Sequence, residues 1–384
     1  MLTSRISFKN FKFQTKKIKV RQTLNSILKE KNQIFVSLGT KYKNNFNLKK
    51  IKKKKLTKDY RVIGMGGSIL GTQAIYDFLR GKIKKNFEFI DNLQPKIKNN
   101  IKKNYTNLIV SKSGHTIETI TNLSVLIKKK DRNIFITEDN KNYLYLLAKQ
   151  LKAEIIHHNN FIGGRYSVLS EVGMLPAELM GLNSNNFKQF NSLIKNKKFI
   201  NSLISNVATT IHFIKNKKFN SIILNYDENS ESLFNWYKQL VAESLGKKKK
   251  GLLPIVSNMP KDNHSVMQLY LDGFQNNFFT FFYVNENKSE KINNKYILSS
   301  KNYLKSKKLS TILFTQKQAT ENIFKKKNIP YRSFEIKKRD EKALGELFSF
   351  FILETILIGR SLNLNPYDQP AVELIKNETK KLLI

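Results

Sequence analysis

The sequence predicts an α/β fold made of two tandem doubly wound parallel-sheet domains, each an αβα sandwich, with a C-terminal helical segment. Three observations lead there. The chain has 384 residues, and single hydrophobic cores stop growing below roughly 300 residues, so two cores are expected. Hydrophobic residues make up 40% and aromatic residues 11%, enough for buried layers despite the heavy charge. From Tyr60 onward short β-branched runs alternate with helical stretches, the pattern of parallel strands joined by crossover helices and covered on both faces.

Residues 1–55 read as an N-terminal extension. Its opening, "MLTSRISFKNFKFQTKK", lacks the apolar core of a secretory signal and is expected to belong to the mature protein. Residues 56–180 read as the first domain, with strands at 60–64, 87–91, 107–110, 133–137 and 153–157 and helices at 69–79 and 116–128. Residues 181–340 read as the second. There 220–226 and 251–257 are strands, 231–246 is a helix closed by Gly246 and lysines, and 263–274 is another helix. The run "NFFTFFYV" at 277–284 is expected as a buried strand rather than an aromatic platform, and 311–315 and 329–336 as further strands. From about Glu341 a long apolar helix opens the final segment, 341–384. Glu346, Glu354 and Arg360 interrupt it, which argues against a bilayer span of about 20 residues.

Lys+Arg 69 against Asp+Glu 29 gives a net charge of +40. The excess is lysine spread over the whole chain beside asparagine and isoleucine, and the runs Lys52 to Lys55, Lys128 to Lys130, Lys247 to Lys250 and Lys325 to Lys327 stand apart. Nucleic-acid readers interleave arginine and aromatics on one element, so solvated faces are expected instead, with no specific nucleic acid as partner. Cysteine is absent, which excludes disulfides, a thiol nucleophile and a Cys-based metal site and fits a reducing cytoplasm. No His/Asp/Glu group has metal-ligand spacing, so no metal is expected.

Two loops have the composition of a phosphate cradle. Gly64, Gly66, Gly67 and Ser68 lie between a strand and a helix, where exposed N–H groups and the helix start suit an anion. The third glycine of the dinucleotide fingerprint is missing, and no acidic residue is well placed to receive a ribose, so no nucleotide cofactor is expected. Ser111, Lys112, Ser113 and Thr116 surround Gly114 at the entrance to the next helix; capping explains one such hydroxyl and not all. Arg165 follows a glycine pair, as either a surface ion-pair partner or an inward guanidinium. Gln239 and Glu243, four residues apart, share a helical face, which leaves the carboxylate either functional or simply half exposed. His264 stands at a predicted helix start, as a cap or a proton carrier. His157 and His158 receive no role, and Gln369, Glu373 and Lys376 follow the long apolar helix.

The motifs GGS-x-LG, SK-[ST]-G-x-T-x-ET, GGR-[FY]-SVLS-x-VG, QL-x-AES-x-GK, DNHS-x-x-QLYLDG and a closing Q-x-x-VE-x-x-K occur in this order between about residues 60 and 380. Together they resemble the glucose-6-phosphate isomerase family, whose domains are of the sugar isomerase (SIS) type. The resemblance implies an aldose–ketose isomerase of glycolysis and gluconeogenesis, interconverting glucose 6-phosphate and fructose 6-phosphate through a cis-enediol, without cofactor. It implies that Gly67, Ser68, Ser111, Lys112, Ser113 and Thr116 bind the sugar phosphate and that Gln239 and Gln369 line the cleft. Glu243 would shuttle the proton, Arg165 would stabilise the enediolate, and His264 and Lys376 would open the ring. It also implies a cytoplasmic homodimer in which His264 acts across the interface. A non-catalytic sugar-phosphate-binding regulator of the same fold would keep the cradle but has no need for Arg165, Glu243, His264 and Lys376 together. The chain departs from the family in being short, in Ile375 where glycine is usual, and in Ser113 where threonine is common.

Overall fold

The computed structural model describes residues 2–13, 15–53, 56–97, 103–128 and 130–384. Lys54, Lys55 and Lys129 of the lysine runs therefore lie outside the described residues. The first strand, β1 (Ile6–Lys9), belongs to a sheet whose other strands come much later. Five parallel strands form the sheet between: β2 (Asp59–Gly64), β3 (Asn86–Ile90), β4 (Thr106–Val110), β5 (Arg132–Glu138) and β6 (Glu154–His158). Their spatial order is β3-β2-β4-β5-β6, so the order reverses between β2 and β4. That reversal is where an open α/β sheet leaves a crevice for ligands. Gly64 of β2 is paired with Val110 of β4, so the two cradle loops leave the same sheet edge side by side.

The other sheet has β7 (Asn220–Asn225), β8 (Leu253–Asn258), β9 (Asn277–Val284) and β10 (Tyr331–Ile336) in the order β1-β10-β9-β7-β8. β7 to β10 pair in parallel, and β1 closes the edge antiparallel to β10, with Ile6 opposite Ile336. All eight residues of β9 are buried, as the phenylalanine run predicts for a central strand covered on both faces. The expected strand at 311–315 is instead part of the Leu309–Lys326 helix. β9 and β10 are parallel neighbours and need a crossover connection, which this helix supplies. Its buried residues Lys317, Glu321 and Phe324 recur at helical spacing, and the Phe324 ring packs on Phe279 and Phe281 of β9. Composition alone does not separate β-branched residues in such a helix from a strand.

The Glu341–Ser361 helix is buried along nearly its whole length. Of its two buried acids, Glu346 accepts from the Thr3 hydroxyl at 2.6 Å, and Glu354 is held by Arg332, which also donates to Thr280 Oγ1 at 2.9 Å and Asn206 Oδ1 at 2.8 Å. Buried charges persist only when paired and hydrogen-bonded in this way. The Ile18–Lys29 helix packs on the same element. The C-terminal Pro370–Leu382 helix is different, because none of its residues is buried. Among the described residues, no helix is long and apolar enough to cross a membrane.

Candidate active site

The loop after β2 turns through Gly66, whose φ of +52° lies in the left-handed region that suits glycine. Gly67 next to it comes against another backbone, since a Cβ there would fall 2.2 Å from the carbonyl carbon of Gly164 and 2.4 Å from the nitrogen of Arg165. The absence of a side chain thus lets the β2 loop rest on the segment carrying Arg165. The Ser167 hydroxyl stitches the two, donating to Gly164 O at 2.7 Å and reaching Gly67 O at 3.4 Å. The half-buried Ser68 keeps its hydroxyl free of partners among the described residues.

In the neighbouring loop the Ser111 and Thr116 hydroxyls lie 2.9 Å apart, and the Ser113 hydroxyl accepts from the His115 backbone N–H at 3.3 Å. Gly114 has a φ of +69° and yields its side-chain space to Asn142. Lys112 is engaged elsewhere, donating to Asn160 O at 2.8 Å and pairing with Glu138 at 3.3 Å.

Arg165 is 3% exposed and commits four of its five N–H groups to protein acceptors. Nε donates to Ser244 Oγ at 2.8 Å and Nη1 to Gln369 Oε1 at 2.8 Å, while Nη2 donates to the carbonyls of Pro366 at 2.6 Å and Asp368 at 3.1 Å. Nη1 also stands 3.4 Å from the Glu243 carboxylate, whose side chain is 22% exposed. The arginine is therefore inward rather than a surface ion-pair partner, and the Glu243 carboxylate is partly open and faces it. Gln239, one turn earlier, lays its amide over Gly66 and leaves Oε1 buried without a partner. A buried acceptor of this kind is costly unless something donates to it.

The structure thus gathers Gly67, Arg165, Gln239, Glu243 and Gln369 around one point beside the cradle. It does not bring His264 or Lys376 there. His264 is exposed at the end of a short 3-10 turn, Lys261–His264. Lys376 is exposed on the last helix and paired with Glu373 at 2.6 Å.

Apart from Gln369, sequence reasoning missed the strap at 366–369. The Tyr166 hydroxyl donates to Pro366 O at 2.8 Å and contacts Ser244 Oγ at 2.8 Å, and burial raises the Tyr166 hydroxyl above its ordinary range. Lys247 pairs with Asp368 at 2.7 Å, and that hydrogen bond holds the Asp368 carboxyl below its usual range. Ser244 and Lys247 lie within the QL-x-AES-x-GK motif, which was the available signal. The strap carbonyls left none. Among the described residues no group of three or more His, Asp or Glu side chains could hold a metal ion.

The architecture is that of the α/β phosphosugar isomerases. A hypothetical protein of Thermus thermophilus superposes with a TM-score of 0.83 at 22% identity, covering 96% of this chain and 94% of that one. A glucose-6-phosphate isomerase from Chlamydia trachomatis superposes with a TM-score of 0.69 at 18% identity, covering 99% of this chain and 80% of that one. The family model for phosphoglucose isomerase matches residues 49–383. The glucose-6-phosphate isomerase of Methanocaldococcus jannaschii is 33% identical over 362 residues, 88% of this chain and 86% of that protein. The chain belongs to the phosphoglucose isomerase family.

Proposed function

We propose that the chain interconverts glucose 6-phosphate and fructose 6-phosphate by carrying a proton between C1 and C2 of the open-chain sugar, with Glu243 as carrier. The observation that supports this most is the Arg165–Glu243 pair, a nearly buried guanidinium 3.4 Å from a partly open carboxylate beside a hydroxyl-lined loop. The phosphate is held by Ser68, Ser111, Ser113 and Thr116 with the N–H groups around Gly67, and Lys112 adds charge at the rim. Anchoring it there presents the C1–C2 edge to Glu243. Glu243 takes the C2 proton of the aldose, and negative charge develops on the carbonyl oxygen. Arg165, fixed by its four other acceptors, stabilises that charge without reorganising. A proton passes from the C2 hydroxyl to the C1 oxygen, which moves the negative charge to O2, and return of the carbon-bound proton from Glu243 to C1 as the C2 carbonyl forms completes the ketose. Gln239 Oε1 finds its missing donor in a sugar hydroxyl, and Gln369 borders the same space.

His264 and Lys376 are assigned to ring opening. The exposure of His264 suits action in a partner's site within a homodimer, and Lys376 reaches the sugar only if its helix turns inward about Gln369. The reaction runs in the cytoplasm as a step of glycolysis and gluconeogenesis, and needs neither metal nor nucleotide.

The test is exchange of the C2 proton of glucose 6-phosphate with deuterated water, followed by NMR. Glu243→Gln keeps size but accepts no proton, so exchange and kcat should fall by about 10² to 10⁴, while Glu243→Asp retains part of the activity. Near-normal exchange in the Gln variant would remove Glu243 from the mechanism.

A further inference from the structure

The 3-10 segment Gly164–Leu169, which carries Arg165, is tied at both ends by a buried polar cluster that the proposed chemistry does not use. At its entry the Ile162 carbonyl accepts from His158 Nε2 at 3.0 Å. At its exit the Leu169 carbonyl accepts from Lys188 Nζ, which also donates to the carbonyl of Ser37. Glu171 joins the two ties. One carboxylate oxygen faces His158 Nδ1 at 3.3 Å, and the other accepts from the Tyr42 hydroxyl at 2.7 Å and the Asn45 N–H at 3.2 Å. The Tyr42 ring in turn lies 5.0 Å from the Lys188 ammonium. Glu171 is wholly buried, His158 is 2% exposed and Lys188 4%.

Groups of this polarity are expensive to bury, and a fully satisfied network of them rigidifies what it touches. Here both carbonyls it grips flank the segment that holds the arginine. That segment cannot advance toward the β2 loop, because Gly164 and Gly67 are already in backbone contact. Retreat requires breaking a tie at Ile162 or Leu169.

We propose that Lys188, His158 and Glu171 are positioning residues that set the depth of Arg165 against the reacting edge of the sugar. The proposal rests on the reading that Arg165 stabilises the enediolate. A displacement of about 1 Å at such a group can cost on the order of 10²-fold in rate. Because the arginine's charge interaction grows only as the transition state forms, the loss falls on kcat rather than on substrate binding.

The experiment is a double-mutant cycle measured with purified protein. Lys188→Met keeps the aliphatic stem and deletes the donor. It should lower kcat by about 10- to 100-fold, with KM and the Kd of glucitol 6-phosphate, the reduced and unreactive analogue, within about threefold. In an Arg165→Ala background the same change should cost little more, since neighbours that act through one group are not additive. Tyr42→Phe, which removes only the hydroxyl on Glu171, gives a milder second cycle if the Met variant folds poorly. An undiminished loss from Lys188→Met or Tyr42→Phe in the Arg165→Ala background would overturn the proposal, as would unchanged kcat in both single variants. Arg165→Ala with wild-type kcat would instead sink the role given to Arg165, and a wild-type protein without isomerase activity would sink the functional reading itself.

Discussion

Arg165→Lys preserves charge while removing the planar fork, and its cost can be worked from the contacts. Arginine serves four acceptors: Ser244 Oγ, Gln369 Oε1 and the carbonyls of Pro366 and Asp368. Two of these, Ser244 Oγ and Pro366 O, keep a contact with the Tyr166 hydroxyl after the change. The acceptors at stake are therefore Gln369 Oε1 and Asp368 O. A single ammonium nitrogen serves one of them well, so one loses its donor, at about 1 to 3 kcal/mol. The strap at 366–369 should open more often by that amount, and amide exchange there should accelerate by roughly 5- to 150-fold, since each 1.4 kcal/mol is tenfold. The chemical loss is separate. A point charge offset from the enediolate oxygen should lower kcat by about 10² to 10³, the usual cost of losing a fixed oxyanion donor, with KM shifting little. Steady-state kinetics in both directions together with hydrogen exchange followed by mass spectrometry read the two effects. A Lys variant with kcat within threefold of wild type, or with an unchanged exchange rate at 366–369, would show that the fork geometry is not what the site uses.

Two further outcomes are expected. Ser111→Ala with Thr116→Ala should raise KM, because each hydrogen bond to a charged phosphate oxygen contributes roughly 1.5 to 3 kcal/mol; isothermal titration with glucitol 6-phosphate checks it, and unchanged affinity would place the phosphate elsewhere. Burial lowers Lys188 from 10.5 to about 7, against an opposing pull from Glu171. The unfolded chain therefore binds more protons between those values, so this residue makes stability rise with pH from about 7 to 10.5 and exerts its full penalty of about 5 kcal/mol below that window. Lys188→Met should flatten the slope of denaturant stability against pH in that range, and an identical slope in both proteins would contradict the burial of a titrating lysine there.

The parallel strands were legible because burial on both faces leaves uninterrupted apolar runs, as in the fully buried "TNLIV" of β4. The 311–315 segment was not, because its identity follows from the crossover that β9 and β10 require, which lies outside the segment. β1 was also hidden. "ISFK" is a short edge strand with an intermediate burial pattern, and only its partner some 330 residues away, Ile336 opposite Ile6, makes it a strand. Of the site, the side chains announced themselves through their glycines and hydroxyls, whereas the carbonyls of Pro366 and Asp368 carry no residue-specific signal. His158 looked isolated in the chain because its acid partner, Glu171, lies 13 positions on and meets it only through the turn after β6.

The late pairing of β1 also orders the making of the molecule. A sheet whose edge strand is synthesised some 330 residues before the strand it covers stays open along that edge until β10 has left the ribosome. Loop closure across such a separation is slow, and exposed edges invite pairing with other chains. Meanwhile the sheet of β2 to β6, complete by His158, has every strand it needs. Nascent chains should therefore be most vulnerable to aggregation in the interval between those two events.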